Sequence, residues 1–165
     1  MVALHELRAV FDALPEEVYH RAIAKLNAHD RIFFTAMGRS GLMLRALAMR
    51  MAQMGRQAHV VGETTTPAIG PGDLLVVASA SGATAAVCNH ARKAKDCGAE
   101  LLVITATEQS PLTELQPADV CLRASGSRQM LGSLFEQSLL LLGDELVLRM
   151  QPDESDMRMR HANLE

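Results

Sequence analysis

The sequence predicts an α/β fold: a three-layer α/β/α sandwich around a five-stranded parallel sheet in flavodoxin-like order, 2-1-3-4-5. Three observations carry this. Five short apolar runs alternate with helical patterns along the 165 residues, as in a sheet whose strands are joined by crossover helices. The runs are apolar at nearly every position rather than every second one, which marks strands covered on both faces. Two of them empty into similar turns, FFTAMGRSG and VVASASGAT, each followed by a helical pattern. In the order 2-1-3-4-5 the first and third strands are neighbours and their helices leave to opposite faces. Both turns then line one crevice at the strands' carboxyl ends, where such sheets bind ligands.

The elements follow in order. Leu4, Leu7, Val10, Phe11 and Leu14 recur at helical spacing until Pro15, and Val18, Ala22, Ile23 and Leu26 form a second stripe. Residues 1–30 are thus expected as an N-terminal helical arm broken near the proline. Arg31–Ala36 is the first strand, and after Met37-Gly38-Arg39-Ser40-Gly41 a helix runs to about Gly55, which suits a C′ position. Gln57–Val61 is the second strand. The stretch from Gly62 to Gly72 is too punctuated by Gly and Pro for a regular element. Asp73–Ser79 is the third strand; Val87, Ala91, Ala94 and Cys97 give the next helix its stripe. Leu101–Thr105 and Val120–Leu122 complete the sheet, with a loop between them. Gly132–Met150 is a long helix, apolar nearly all round and therefore buried on more than one side. Pro152 ends it, and Asp153, Glu154 and Asp156 open a C-terminal helix over 153–165. No linker divides the chain, so a single domain spanning residues 1–165 is expected.

Composition narrows the function classes. A net charge of −3 with no run of Lys or Arg gives no nucleic-acid footprint, and 3% aromatics with no Trp supply little base stacking. No apolar run reaches membrane length and no leader pattern opens the chain, so no membrane partner and a cytoplasmic location are expected. The three cysteines make no CxxC and leave one over, which fits free thiols. The six histidines show no HxH or HxxxH pairing, so no metal site is expected.

What the turns offer is an anion pocket. There is no GxxxxGK[ST] and no GxGxxG after the first strand, so nucleotide binding lacks its two best signatures. The hydroxyls of Ser40, Ser79, Ser81 and Thr84 remain, with free helix-start amides near Gly82, in a pocket without lysine. Such groups hold a phosphomonoester through hydrogen bonds to the anion and the helix dipole. Ser and Gly also populate turns and helix caps for purely structural reasons, and Arg39 is open to a surface or interface ion pair as much as to a phosphate.

GRSG paired with SxSGxT at this spacing resembles the sugar isomerase (SIS) domain. GRSGLMLRALAMRMAQMG, VVGETTTPAIGPGD, LGSLFEQ and the terminal RHANLE are similar to the 6-phospho-3-hexuloisomerases within it, over about residues 31–165. The resemblance implies a SIS-type sandwich and a homotetramer with sites shared between subunits. It also implies a cofactor-free interconversion of 3-hexulose 6-phosphate and fructose 6-phosphate, in the ribulose monophosphate route. Gly38, Arg39, Ser40, Ser79, Ser81, Gly82 and Thr84 would bind the phosphosugar. Glu136, the glutamate of LFEQ, would be the catalytic base, and His161 of RHANLE would reach a neighbouring subunit's site. Glu63 is a further candidate.

The chemistry agrees with that implication. Moving a carbonyl between adjacent carbons needs a base that takes the α-proton, a cis-enediol and an acid at oxygen. A carboxylate on a largely apolar helix is poorly solvated, which suits it to shuttling a proton; pairing with an arginine of another subunit is the alternative for Glu136. The chain departs from the family's SGSGET at Ala80 and Ala83, and Met130 stands where a proline is usual. All three changes leave the hydroxyls in place. Beside this reading stand another phosphosugar isomerase of the superfamily, acting on pentose or heptose phosphates, and a non-catalytic sugar-phosphate-binding regulatory module. No helix-turn-helix accompanies the chain to favour the latter. A bare oligomerisation module would explain the Met- and Leu-rich helices and not the hydroxyl cluster.

Overall fold

The protein is described by a computed structural model covering residues 1–164. Five parallel strands form one sheet in the order β2-β1-β3-β4-β5. They are β1 Arg31–Thr35, β2 Gln57–Val60, β3 Leu74–Ser79, β4 Glu100–Thr105 and β5 Val120–Cys121. Every residue of the central β3 is buried. Its alternate side chains enter two separate cores. Leu74, Val76 and Ala78 pack with Ile32, Phe34, Leu102 and Ile104 on one face, while Leu75 and Val77 pack with Phe33, Leu101 and Val103 on the other. A strand that must be apolar on both sides cannot alternate, which is why LLVVA reads as a continuous run.

The two faces are unequal. Helices α1 (Val2–Asp12), α2 (Glu16–Ala28), α3 (Gly38–Gln53) and α6 (Ser133–Met150) contribute to the first core. Among the described residues, α4 (Ala85–Asp96), the short α5 (Pro111–Leu115), the 62–72 loop and Ala118 cover the second. α3 and α6 approach closely enough that a Cβ on Gly143 would sit 3.4 Å from Leu47 Cβ. The segment expected as an arm is part of the sandwich: Val10, Tyr19, Ala22 and Leu26 are buried in the first core. Arg149 of α6 lies over the Tyr19 ring, 4.0 Å from its centroid, and pairs with Glu16 at the start of α2. No described helix is long and apolar enough to cross a membrane.

Four boundaries differ from expectation. The GRSG turn is the first turn of α3 rather than a loop before it, because α3 starts at Gly38. The stretch between β4 and β5 contains α5, closed by a capping box in which Ser110 Oγ accepts from the Thr113 N–H at 3.2 Å and Thr113 Oγ1 accepts from the Ser110 N–H at 2.8 Å. A 3-10 turn, Met130–Gly132, precedes α6. The last helix, α7 (Glu154–Met159), stops short of the expected 153–165 span; Asp153 caps it by accepting from the Ser155 N–H at 2.8 Å. Residue 165 of that span lies outside the described residues.

Candidate active site

β1 and β3 pair in register, Phe34 opposite Val76 and Thr35 opposite Val77, so β3 runs two residues, Ala78 and Ser79, past the end of β1 on the same side of the sheet. There the chain turns into α3 and α4, and the N-terminus of α6 comes in above. A cavity of about 210 Å³ opens between the three helix starts. Its floor is Ala78, Ser79, Ala80 and Ser81; Met37 and Ser40 flank it from α3 and Thr84 from α4. Leu131, Gly132, Phe135 and Glu136 close it from the α6 side. Neither α3 nor α4 has an acidic residue in its first turn, so the partial positive charge of both helix starts faces the cavity unneutralised.

Local folding fixes the hydroxyls. Ser79 is buried at the end of β3, and its Oγ lies 3.1 Å from Thr84 Oγ1, the side chain of the α4 N-cap residue. Thr84 makes no side-chain cap bond. Ser81 Oγ accepts from the Ala83 N–H at 3.2 Å. The Ala80 carbonyl accepts from the Ala106 N–H at 3.1 Å and from Thr105 Oγ1 at 3.3 Å, which pins the loop to the end of β4. Gly82 permits this route: its φ is +61°, and a Cβ there would lie 2.1 Å from Ser110 Oγ. At the other turn, a Cβ on Gly41 would lie 2.8 Å from the Ala36 carbonyl oxygen.

Across the cavity Glu136 is largely buried, its side chain 12% exposed, while Arg39 is 57% exposed. Arg39 Nη1 lies 2.8 Å from Glu136 Oε2 and also donates to Ser133 Oγ at 3.0 Å. Its approach to the carboxylate is off the hydrogen-bonding line, so the buried Oε2 has charge contact without a hydrogen bond. An acceptor left in that state has lone-pair capacity to take a proton.

Of the residues the sequence put forward, Ser40, Ser79, Ser81, Thr84 and Glu136 line this cavity. Gly38 and Gly82 are outside its walls, at left-handed backbone positions that shape the two turns. Arg39 stands behind Glu136 rather than on the wall. Glu63 pairs with Arg45 of α3, away from the cavity. His161 follows α7, exposed, with Nδ1 3.0 Å from the Ala162 carbonyl. Within one chain, neither Glu63 nor His161 joins the site. Sequence reasoning missed Met37, Leu131, Gly132 and Phe135 as walls and Ser133 as the anchor of Arg39. All of them lie inside the LGSLFEQ and FFTAMGRSG stretches, which was the signal that could have found them.

A second cavity of about 150 Å³ lies on the α4 face under the 62–72 loop, between Phe33, Val61, Pro67, Ile69 and Leu75. Its polar lining is Thr66, His90 and Lys93, with neither a helix start nor a carboxylate to do chemistry. Among the described residues no group of three or more His, Cys, Asp or Glu is placed to hold a metal ion.

The comparisons with known proteins fall in line with this geometry. A 3-hexulose-6-phosphate isomerase of Mycobacterium gastri is 42% identical over 147 residues, covering 82% of this chain and 74% of that protein. One of Bacillus subtilis is 38% identical over 165 residues, covering 91% and 88%. A crystal structure from Methanococcus jannaschii, from which a 3-hexulose-6-phosphate isomerase function was inferred, matches with a TM-score of 0.86 at 28% identity, covering 99% of this chain and 97% of that one. The SIS domain model matches residues 25–142. The chain belongs to the SIS domain family.

Proposed function

We propose that the chain is a phosphosugar isomerase, interconverting 3-hexulose 6-phosphate and fructose 6-phosphate. The observation that carries this is one cavity with hydroxyls and helix starts on one side and an under-bonded glutamate on the other. The 3-hexulose-6-phosphate isomerases at 42% and 38% identity support the choice of sugar.

Phosphate is held by the hydroxyls of Ser40, Ser79, Ser81 and Thr84 and the free N–H groups opening α4. That grip is remote from the reacting carbons and its use is orientation. With the phosphate fixed, the sugar chain extends toward Glu136. Glu136 takes the proton from the hydroxyl-bearing carbon next to the carbonyl as the carbonyl oxygen gains one, giving a cis-enediol; it then returns its proton to the former carbonyl carbon as the other hydroxyl gives up its own. Arg39 stands against Glu136 and offsets its charge, so that a dianion can enter a site that already holds a carboxylate. Gly38 and Gly82 keep the two turns open enough for backbone to reach the anion. His161 acts in trans, supplied by a neighbouring subunit of a homotetramer to move protons between hydroxyls. Glu63, fixed by Arg45, borders the site from the same assembly. No cofactor takes part. The three unpaired cysteines, Cys88, Cys97 and Cys121, support a reducing, cytoplasmic setting, and the ribulose monophosphate route is the setting for this substrate pair.

The test is turnover across a panel of phosphosugars, read together with exchange of solvent deuterium into fructose 6-phosphate. Turnover with exchange is expected for the hexose pair. Exchange only with a pentose or heptose phosphate would reassign the substrate, and binding without exchange would make the chain a sugar-phosphate sensor.

A further inference from the structure

We infer that Glu6, on α1, is a positioning residue for the candidate site: its carboxylate latches the turn that carries the lip of the cavity. The inference rests on the isomerase reading of that cavity, and it concerns a residue outside the 25–142 segment that matches the SIS family.

The lip is Leu131-Gly132, and its own sequence does not hold it in place. Leu131 has φ +54° and is 97% exposed; Met130 before it is 82% exposed. A leucine in the left-handed region is strained, and an exposed side chain has no packing to offset the strain. What holds the lip must act from its flanks.

On the upstream flank one carboxylate binds three successive residues. Glu6 Oε1 accepts from the Arg128 N–H at 2.8 Å. Oε2 accepts from Ser127 Oγ at 2.8 Å and from Gln129 Nε2 at 3.0 Å. Ser127 Oγ in turn accepts from the Gln129 N–H at 2.9 Å, which closes the turn on itself. These contacts, the Arg128 N–H foremost, hold the Glu6 carboxyl below its usual range, so it is an acceptor throughout neutral pH. On the downstream flank Ser133 Oγ donates to the Met130 carbonyl at 2.8 Å and accepts from Arg39. The lip is therefore strung between Glu6 and the Arg39–Glu136 pair. α1 itself is seated by Val10 in the first core, which gives the latch a fixed base.

A latch of this kind sets the fraction of molecules whose cavity is ready for sugar. Opening it lowers that fraction, which divides the intrinsic dissociation constant and so weakens apparent binding, and leaves the chemical step of the competent molecules unchanged. Glu6→Ala in the full chain removes all three bonds. The expected result is faster amide exchange confined to residues 127–132, and a KM for fructose 6-phosphate raised roughly five- to tenfold with kcat within about twofold. Glu6→Gln keeps the length and one acceptor oxygen, and should fall between. Unchanged exchange at 127–132, an unchanged KM, or a general rise in exchange with a lowered Tm and no KM effect would each overturn the latch. Should the wild-type protein turn over no hexose phosphate, the isomerase reading fails on its own. The amide exchange of the unliganded variant, with its affinity for inorganic phosphate, then still decides the latch.

Discussion

Arg39 can be assigned by asking what its removal does in two backgrounds. If it serves Glu136, Arg39→Met matters only while Glu136 carries charge; if it is a phosphate ligand, it matters in either case. Two unit charges about 4 Å apart attract by about 4 kcal/mol at an effective dielectric of 20. The 57% exposure of the Arg39 side chain returns most of that to solvent, and exposed pairs are worth about 0.2–1 kcal/mol. Glu136 is far better buried and the contact makes no hydrogen bond to Oε2, which puts the pair at the top of that range, about 1 kcal/mol. Left alone, the carboxylate repels an incoming phosphate by a comparable amount. Titration calorimetry with fructose 6-phosphate should thus show Arg39→Met binding about fivefold weaker than wild type. In a Glu136→Gln background the same substitution should change affinity by less than about twofold, since the cycle isolates the pair. A direct guanidinium–phosphate bond is worth about 1.5–3 kcal/mol, so a loss of tenfold or more in both backgrounds refutes the pairing and restores Arg39 to the phosphate.

Three further outcomes follow from the same geometry. Glu136→Gln should lower kcat by about 10²–10⁴-fold, the usual worth of a positioned base, with phosphosugar affinity retained in calorimetry; full activity would remove Glu136 as the base. Gly82→Ala forces a Cβ to 2.1 Å from Ser110 Oγ at φ +61°, costing about 3–5 kcal/mol in denaturant unfolding, and only about 1–2 kcal/mol of left-handed strain once Ser110→Gly has cleared the space; additivity of the two changes would show the clash is not what matters. Burial alone pushes the Asp73 carboxyl up, but Arg31 and the Gly70 N–H outweigh it and hold the carboxyl below its usual value. A group depressed in the folded state contributes above its unfolded pKa of about 3.9 and loses that contribution as pH falls through the folded value. Asp73→Asn should therefore cost about 2–3 kcal/mol near neutral pH, less than a fully buried pair because Arg31 is partly exposed, and the gap to wild type should close in acid; a gap that does not narrow below about pH 3 would contradict the linkage.

The legibility of this chain depended on the range of the interactions involved. Strand order and the cavity's hydroxyl side were readable because burial on both faces writes itself into every position of a strand, and because Ser79–Thr84 is one contiguous turn. α5 leaves little trace in the sequence although Ser110-Pro111 with Thr113 is a capping signal, because five residues are too few to show a helical stripe. The Arg39–Glu136 pair and the Glu6 latch join elements far apart in sequence, and nothing local records them. The positive φ of Leu131 was equally hidden, since left-handed backbone announces itself only where glycine supplies it. Glu63 and His161 show the converse: a motif fixes which residue is present, while a single chain's geometry fixes only what that chain brings together.

The placement of charge across the sheet explains why the site holds so little of it. The well-buried carboxylate partners sit at the strands' amino ends: Asp73 takes two bonds from Arg31, at 2.6 and 2.7 Å, and Asp119 meets Lys25 Nζ at 2.8 Å. Lys25 also donates to the Leu101 carbonyl at 2.6 Å. Such pairs need their full complement of hydrogen bonds to offset desolvation, and at that end they have it. At the carboxyl ends the polar part of the cavity wall is neutral hydroxyls and amide dipoles, with a single carboxylate matched by one cation. A dianion entering there meets no lysine to hold it and no unpaired acid to repel it. Hydrogen bonds and two helix starts give modest, reversible retention, which suits a catalyst whose product carries the same phosphate as its substrate: a tighter grip on that shared group would stabilise both ends of the reaction equally and slow release without lowering the barrier between them.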